Sequence, residues 1–171
     1  MSRLTGWIVI ILVLVHCNQA SERPEQSLGF APDFRLDTVS HQRFYLNQYR
    51  GKVVVLLFWT TYCNICKQEK LALDKLHDAL GPKGVVVASV CTDPENIDSV
   101  RQIIKGLGVS YPTLLDRGAR VARKYSVQAV PTTVIVGPEG RLCFRRIGYS
   151  GAIMRQIRSQ VKRLLPGVLK S

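Results

Sequence analysis

The spacing of apolar and polar residues along the chain predicts alternating strands and helices. Residues 52–59 and 84–90 form two nearly continuous apolar runs rich in valine, which is typical of strands buried on both faces of a sheet. Between them, residues 63–80 carry apolar side chains at helical spacing and are followed by Gly81-Pro82, which favours an amphipathic helix that ends there. The centre of the chain is therefore predicted to be a β-α-β unit.

Further elements are predicted on either side of this unit. Two short alternating segments, residues 31–36 and 43–46, surround a polar turn and predict a hairpin. Asp93-Pro94-Glu95 predicts the capped start of a helix that ends near Gly106. The rest of the pattern predicts a short strand or turn (111–116), a short helix (119–125), a strand pair (132–136 and 141–147) and a last helix from Ser150 to about Leu165. This order favours an α/β fold with a central sheet flanked by helices.

The first 20 residues have the pattern of an export signal. Arg3 precedes nine consecutive apolar residues, 7–15, a length that suits a signal peptide and falls short of the about 20 residues of a membrane span. The sequence before Cys17 resembles a bacterial lipobox, although His16 stands where a small residue is usual. Lipidation at Cys17, cleavage after Ala20 and retention as a membrane anchor are the alternatives. We predict a signal peptide or anchor (1–20), a linker (21–27) and one folded domain (28–166) outside the cytoplasm.

The charge is placed unevenly along the chain. The formal net charge is +12, and residues 101–171 hold 14 lysines and arginines against only Asp116 and Glu139. Such a basic surface attracts anionic lipid head groups or acidic proteins, or it keeps the domain solvated. It lacks interleaved aromatic residues and any nucleic-acid motif. No nucleic-acid partner is therefore expected.

Cys63 and Cys66 are the candidate reactive groups. They lie where a buried strand gives way to a helix, and unpaired backbone N–H groups and the helix dipole stabilise a thiolate at a helix start. Such cysteines have pKa values lowered from about 8.5 to about 3.5–7.5. Two intervening residues let the sulfurs form a reversible disulfide, so the pair can carry electrons without a dissociable cofactor.

Helical phase assigns different positions to the two cysteines. At 100° per residue, Glu69 and the leucines at 73, 76 and 80 lie within about an 80° stripe beside Cys66, whereas Cys63 lies away from them. Cys63 is therefore the expected nucleophile and Cys66 the resolving cysteine. Glu69 is expected on the buried face, where it can exchange a proton with Cys66. Alternatively, Glu69 reaches solvent or pairs with Lys70 or Lys52.

Other uses of these cysteines remain open at this point. A zinc or copper site needs further ligands, and His77 is about 16 Å along the helix from Cys66. No metal site is therefore predicted, although a metal carrier stays an alternative. Cys91 ends a strand at the edge where α/β proteins place functional groups, so it is either an auxiliary redox group or a small buried side chain. Cys143 is expected in the core.

Residues 58–69, Phe-Trp-Thr-Thr-Tyr-Cys-Asn-Ile-Cys-Lys-Gln-Glu, resemble the active-site segment of the TlpA/ResA-like branch of the thioredoxin superfamily, which is related to the redoxin and AhpC/TSA proteins. Ala31-Pro32-Asp33-Phe34, residues 111–116 and residues 125–133 resemble the family's opening, its inserted segment and its cis-proline stretch. The resemblance covers about residues 28–165. It implies a thioredoxin-like fold with an N-terminal hairpin and a central βα insertion.

The resemblance also implies roles for individual residues. It makes Cys63 the nucleophile, Cys66 the resolving cysteine, Glu69 the family's buried acid and Pro131 a cis-proline that faces the disulfide, with Val130 offering backbone groups to a substrate strand. Trp59 is assigned to the substrate site. Family members are extracytoplasmic disulfide reductases, several of which serve cytochrome c maturation. The implied partners are protein disulfides and an upstream membrane thiol donor.

The chain departs from the family pattern in two places. Asn64-Ile65 replaces the commoner pair with a proline before the second cysteine, which leaves the direction of electron flow open. Lys70-Leu71 follows Glu69 where a proline is usual. A peroxiredoxin is the nearest alternative, because the two families share the fold and the opening segment. Peroxide chemistry there needs a proline and a threonine ahead of the cysteine; Thr60 stands three residues before Cys63, but Leu56 occupies the proline position. The sequence thus favours a thiol–disulfide oxidoreductase.

Overall fold

The computed structural model describes residues 29–165, so the predicted signal or anchor (1–20) and linker (21–27) lie outside the described residues. The strands are β1 Arg35–Asp37, β2 Arg43–Tyr45, β3 Val53–Trp59, β4 Val85–Cys91, β5 Thr113–Leu115, β6 Thr132–Val136 and β7 Leu142–Ile147. The helices are α1 Asn64–Leu80, α2 Ile97–Leu107, α3 Arg120–Lys124 and α4 Gly151–Leu164. From residue 29 to 165, no helix has the length and apolar character needed to cross a membrane.

Strand β3 is the centre of a five-stranded mixed sheet of order β5-β4-β3-β6-β7. Val55 pairs with Val87 of β4 in parallel and with Ile135 of β6 in antiparallel orientation. All seven residues of β3 are buried, because strands flank it on both sides and other elements cover both faces of the sheet. The predicted doubly buried strand and the predicted central sheet are confirmed.

Alternate side chains of β3 enter two different apolar layers, as the period of two in a strand requires. Val55 and Leu57 belong to the layer that includes buried residues of α1 and α4. Leu56 and Phe58 belong to the opposite layer, which includes Phe34 and residues of the β1–β2 hairpin and α3. The sheet is therefore covered by helices on one face and by the hairpin and a short helix on the other.

The helix starts show one correct and one wrong prediction. Ser150 caps α4 by accepting from the N–H of Ile153 at 3.2 Å, as predicted. Helix α2, however, is capped by Asn96, whose side chain accepts from the N–H of Ser99 at 3.0 Å. The prediction of Asp93 as the cap was wrong because the carboxylate of Asp93 binds the loop that precedes Cys63.

Candidate active site

The two predicted reactive cysteines are joined by a disulfide at the start of α1. Cys63 is the N-cap of the helix, and its Sγ accepts from the N–H of Cys66 at 3.2 Å. The two Cα atoms are 5.3 Å apart. A short loop, residues 60–62, joins the buried end of β3 at Trp59 to Cys63, which places the disulfide at the positive end of the helix dipole.

The two sulfurs differ in their access to solvent. Cys63 is 9% exposed and Cys66 is 0% exposed. Beside them, Tyr62 and Ile65 are large apolar side chains that are 77% and 42% exposed. Both cysteines belong to the core layer that holds the leucines of α1, and Cys63 keeps the small exposed fraction of the pair, which is the order that helical phase predicts.

Glu69 is fully buried one turn below the disulfide. Thr133 Oγ1 on β6 donates to Glu69 Oε1 at 2.6 Å, and no described residue donates to Oε2. Burial raises the pKa of Glu69 to about 7, against the smaller opposite effect of the Thr133 hydrogen bond. The alternatives in which Glu69 reaches solvent or pairs with Lys70 or Lys52 do not hold in this structure. A carboxyl group of this kind exchanges protons near neutral pH.

Asp93 fixes the loop that leads into Cys63. Its carboxylate accepts from the N–H of Thr61 at 2.9 and 3.0 Å and from Thr61 Oγ1 at 2.6 Å. Cys91 Sγ also donates to Asp93 Oδ1 at 3.2 Å. Sequence reasoning missed this role because the pattern at Asp93-Pro94-Glu95 resembles a helix cap, and a contact across 32 residues of chain has no local signal.

The two unpaired cysteines occupy different environments. Cys91 is buried at the end of β4, opposite Trp59, in the same apolar layer as Cys63 and Cys66. Burial raises the pKa of the Cys91 thiol above its usual range, so it stays protonated. Cys143 is half-buried, and its thiol donates to the backbone oxygen of Arg141 at 3.3 Å. The prediction of Cys143 as a core residue was wrong because β7 is an edge strand.

The residues predicted to form the substrate site, Val130, Pro131 and Trp59, differ in where the structure places them. The Val130–Pro131 peptide bond is cis, as the family resemblance implied. Val130 is half-buried and packs against the layer that holds both active-site cysteines, and the oxygen of Pro131 accepts from the N–H of Gly148 at 2.7 Å. Trp59 is 0% exposed. Its assignment to the substrate site is therefore not supported, since a side chain enclosed behind the disulfide cannot reach a bound protein.

Lys70 is a buried cation that sequence reasoning did not single out. It is 0% exposed, and its Nζ donates to Ser89 Oγ at 2.6 Å and to Thr113 Oγ1 at 3.4 Å. The ammonium also lies 4.5 Å from the centre of the Trp59 ring. Burial lowers the pKa of Lys70 to about 7. The available signal was its position four residues after Cys66, on the buried side of the helix.

A metal site in the described part of the chain would need a cluster of side chains that could bind the ion. Among residues 29–165, no three histidine, cysteine, aspartate or glutamate side chains are clustered so as to hold a metal ion. The groups that the site brings together are the disulfide, the buried acid and the buried lysine.

Comparison with known proteins places this geometry in context. A profile of the AhpC/TSA family matches residues 29–145. Thiol-disulfide oxidoreductase ResA of Geobacillus kaustophilus (strain HTA426) is 30% identical over 148 residues, which cover 82% of this chain and 84% of that protein. ResA of Bacillus subtilis (strain 168) is 33% identical over 112 residues, or 66% of this chain and 62% of that protein.

A solved structure shows the same fold. The crystal structure of a thiol:disulfide interchange protein of the thioredoxin family from Chlorobium tepidum TLS is similar to this chain with a TM-score of 0.71 at 20% identity, and the match covers 80% of this chain and 96% of that one. The predicted thioredoxin-like fold is thereby confirmed.

Proposed function

Because this chain belongs to the AhpC/TSA family and is a thiol–disulfide oxidoreductase of the thioredoxin-like type, we propose that it reduces protein disulfides outside the cytoplasm through Cys63 and Cys66. The observation that carries the proposal is the Cys63–Cys66 disulfide at the start of α1, in which Cys63 keeps a small exposed fraction and Cys66 keeps none. This asymmetry suits a nucleophile that meets substrate and a second thiol that meets only the first.

The proposed reaction proceeds in two exchanges from the reduced enzyme. The Cys63 thiolate attacks a substrate disulfide, forms a mixed disulfide and releases one substrate sulfur as a thiolate, which takes up a proton. Cys66 then loses its proton and attacks the Cys63 sulfur. The Cys63–Cys66 bond forms, the bond from Cys63 to substrate breaks, and the second substrate sulfur leaves as a thiolate. The substrate gains two electrons and the enzyme loses two.

Glu69 is the proposed proton acceptor for Cys66. It lies one helical turn below that cysteine on the buried face. Its pKa of about 7 is close to neutral pH, so it accepts and returns a proton at similar cost. The hydroxyl of Thr133 remains as a donor to the ionised form.

The proposed substrate seat consists of Val130, Pro131 and the exposed apolar side chains Tyr62 and Ile65. A substrate strand in extended conformation would pair its backbone with Val130 and bring its disulfide to Cys63. The Gly148–Pro131 hydrogen bond supports a fixed position of this backbone. Tyr62 and Ile65 offer apolar contact area that does not depend on one particular substrate sequence.

Export is proposed from the N-terminal pattern of residues 1–20, with Cys17 lipidation, cleavage and a retained anchor as its alternatives. The proposed partners are protein disulfides as substrates and a membrane thiol protein as electron donor. The resemblance to the TlpA/ResA-like branch further suggests a role in cytochrome c maturation. Reduction of an oxidised Cys-X-X-Cys-His peptide compared with insulin tests that finer proposal, which requires a clear preference for the peptide.

One set of assays on a single preparation tests the function. Wild type should reduce insulin, Cys63→Ser should be inactive, and Cys66→Ser should accumulate a mixed disulfide with substrate at Cys63. Peroxide consumption or metal binding without dithiol turnover would refute the proposal. The reduction potential then decides direction: about −270 mV supports a reductase, whereas about −120 mV identifies an oxidant.

A further inference from the structure

A lysine with no exposed surface is an unusual component of a protein interior, because burying an ammonium costs free energy unless a charge or several dipoles compensate for it. Lys70 is such a residue. Among the described residues, its Nζ contacts the hydroxyl groups of Ser89 and Thr113 and the faces of the Trp59 and Tyr111 rings. No described carboxylate forms an ion pair with it. Below its pKa of about 7, Lys70 is thus a buried ammonium without a buried counter-charge in the oxidised protein.

The place of Lys70 on α1 connects it to the reaction. Lys70 follows Cys66 by four residues, and both side chains are 0% exposed. Residues four apart in a helix are neighbours, with Cβ atoms about 5–6 Å apart. Side chains in helices also lean toward the N-terminus, so the stem of Lys70 leans over the turn that carries Cys66. The ring of Trp59, which ends β3 just before the active-site loop, lies 4.5 Å from its Nζ.

We propose that Lys70 is a positioning residue for the dithiol. The buried ammonium of Lys70 balances the negative charge that forms on Cys66 during exchange. When Cys66 loses its proton to attack Cys63, a thiolate appears in the interior where water cannot solvate it. A cation on the next turn stabilises that thiolate. When the Cys63–Cys66 bond has formed, the negative charge is gone and the ammonium is again without a counter-charge. This inference rests on the proposed function.

Glu69 and Lys70 then have different roles in the ionisation of Cys66. Glu69 contacts Thr133 on β6, whereas Lys70 contacts Ser89 on β4 and Thr113 on β5. The two groups therefore approach the helix turn of Cys66 from opposite sides of β3. Glu69 takes the proton, and Lys70 stabilises the charge that the proton leaves behind.

The titration of Lys70 depends on all groups that face it. These are Trp59 on β3, Ser89 and Cys91 on β4, Tyr111 just before β5, Thr113 on β5, and Asp74 on α1. Burial keeps the Cys91 and Tyr111 groups protonated, because it raises the pKa of each above its usual range. Asp74 is partly exposed and accepts from the N–H and Oγ of Ser110 at 2.8 and 2.9 Å. Cys63 and Cys66 ionise only in the reduced protein, and Cys66 is the one on the helix turn next to Lys70.

The main test compares Lys70→Met with Lys75→Met. Methionine keeps the length and apolar stem of lysine without its charge, and Lys75 is an exposed lysine on the same helix. In the reduced proteins, the titration of the Cys66 Cβ signal is followed by NMR. For two unit charges one helical turn apart at an effective dielectric constant of about 20, Lys70→Met is expected to raise the midpoint by about 1 to 2 pH units. Lys75→Met should leave it unchanged. Equal midpoints in all three proteins would overturn the proposal.

A second measurement keeps Lys70 and covers the case in which Lys70→Met does not fold. The Cε signal of Lys70 is titrated in reduced Cys63→Ser, where Cys66 is the remaining thiol of the pair, and in the double variant Cys63→Ser/Cys66→Ser. Ionisation of Cys66 should raise the midpoint of Lys70 by about 1 pH unit in the first protein relative to the second, and identical midpoints would contradict the assignment. Failure here leaves insulin reduction by wild type intact, whereas failure of the proposed function abolishes that activity whatever Lys70 does.

Discussion

Glu69→Gln is the change that most directly tests the buried acid. Glutamine keeps the shape of the side chain and an oxygen that accepts from Thr133, but it cannot ionise. In wild type the pKa of Glu69 rises from 4.5 in the unfolded chain to about 7 in the folded protein. Between these values the native state binds more protons than the unfolded state. The free energy of unfolding must therefore fall as the pH rises through this window.

The magnitude follows from the shift itself. At 1.36 kcal/mol per unit, a rise from 4.5 to about 7 makes the ionised Glu69 cost about 3 kcal/mol of stability above pH 7. The contribution is fully present below pH 4.5 and is lost by about pH 8. Lys70 acts in the opposite direction at higher pH, since its pKa is lowered from 10.5 to about 7 and stability is regained as the pH rises above 7. The two groups together give a minimum of stability near neutral pH.

Urea unfolding of the oxidised proteins, followed by tryptophan fluorescence from pH 4.5 to 8, measures this effect. The difference in free energy of unfolding between Glu69→Gln and wild type should change by about 3 kcal/mol across the range. Glu95→Gln is the matched control, because Glu95 is exposed and its substitution should give a curve parallel to wild type. Parallel curves for Glu69→Gln would refute the argument that burial controls this carboxyl group.

Three further substitutions test neighbouring parts of the structure. Thr133→Val removes the hydrogen bond that lowers the pKa of Glu69. The fall in the free energy of unfolding with rising pH should therefore occur at higher pH than in wild type, as measured by the same urea series. Asp93→Ala leaves the N–H of Thr61 without its acceptor and should cost about 1–3 kcal/mol and slow insulin reduction; unchanged turnover would show that the loop needs no such support. Leu73→Ala empties a fully buried position on α1 and should lower the free energy of unfolding by about 2–5 kcal/mol; a loss below 1 kcal/mol would contradict its core position.

The periodicity of the sequence predicted those parts of the site that one element determines alone. The inward stripe of α1 placed Cys66 and Glu69 correctly, because burial on a helix follows from spacing once the leucines identify the core side. The run from Val53 to Trp59 likewise predicted a strand buried on both faces. The cis bond at Pro131 came only from the family resemblance, since most bonds before proline are trans.

The missed features all depend on contacts between distant segments. Lys70 is a residue type that is almost always exposed, and the hydroxyl groups that hold it belong to two other strands. Asp93 has the local pattern of a helix cap, but Thr61, 32 residues earlier, uses its carboxylate. A local pattern cannot rank such alternatives, because the energy that selects between them is supplied by the assembled fold.

The central position of β3 has a consequence for folding during synthesis. Val54 pairs with Val136 across most of the folded chain, and this pairing closes the sheet on one side of β3. While the chain emerges from the ribosome, the flank of β3 that β6 will occupy is open, and its valines and leucines lack their final neighbours. Contacts of such long sequence separation form late and slowly. The central sheet of a nascent chain of this topology therefore stays incomplete, with apolar side chains uncovered, until synthesis has passed β6.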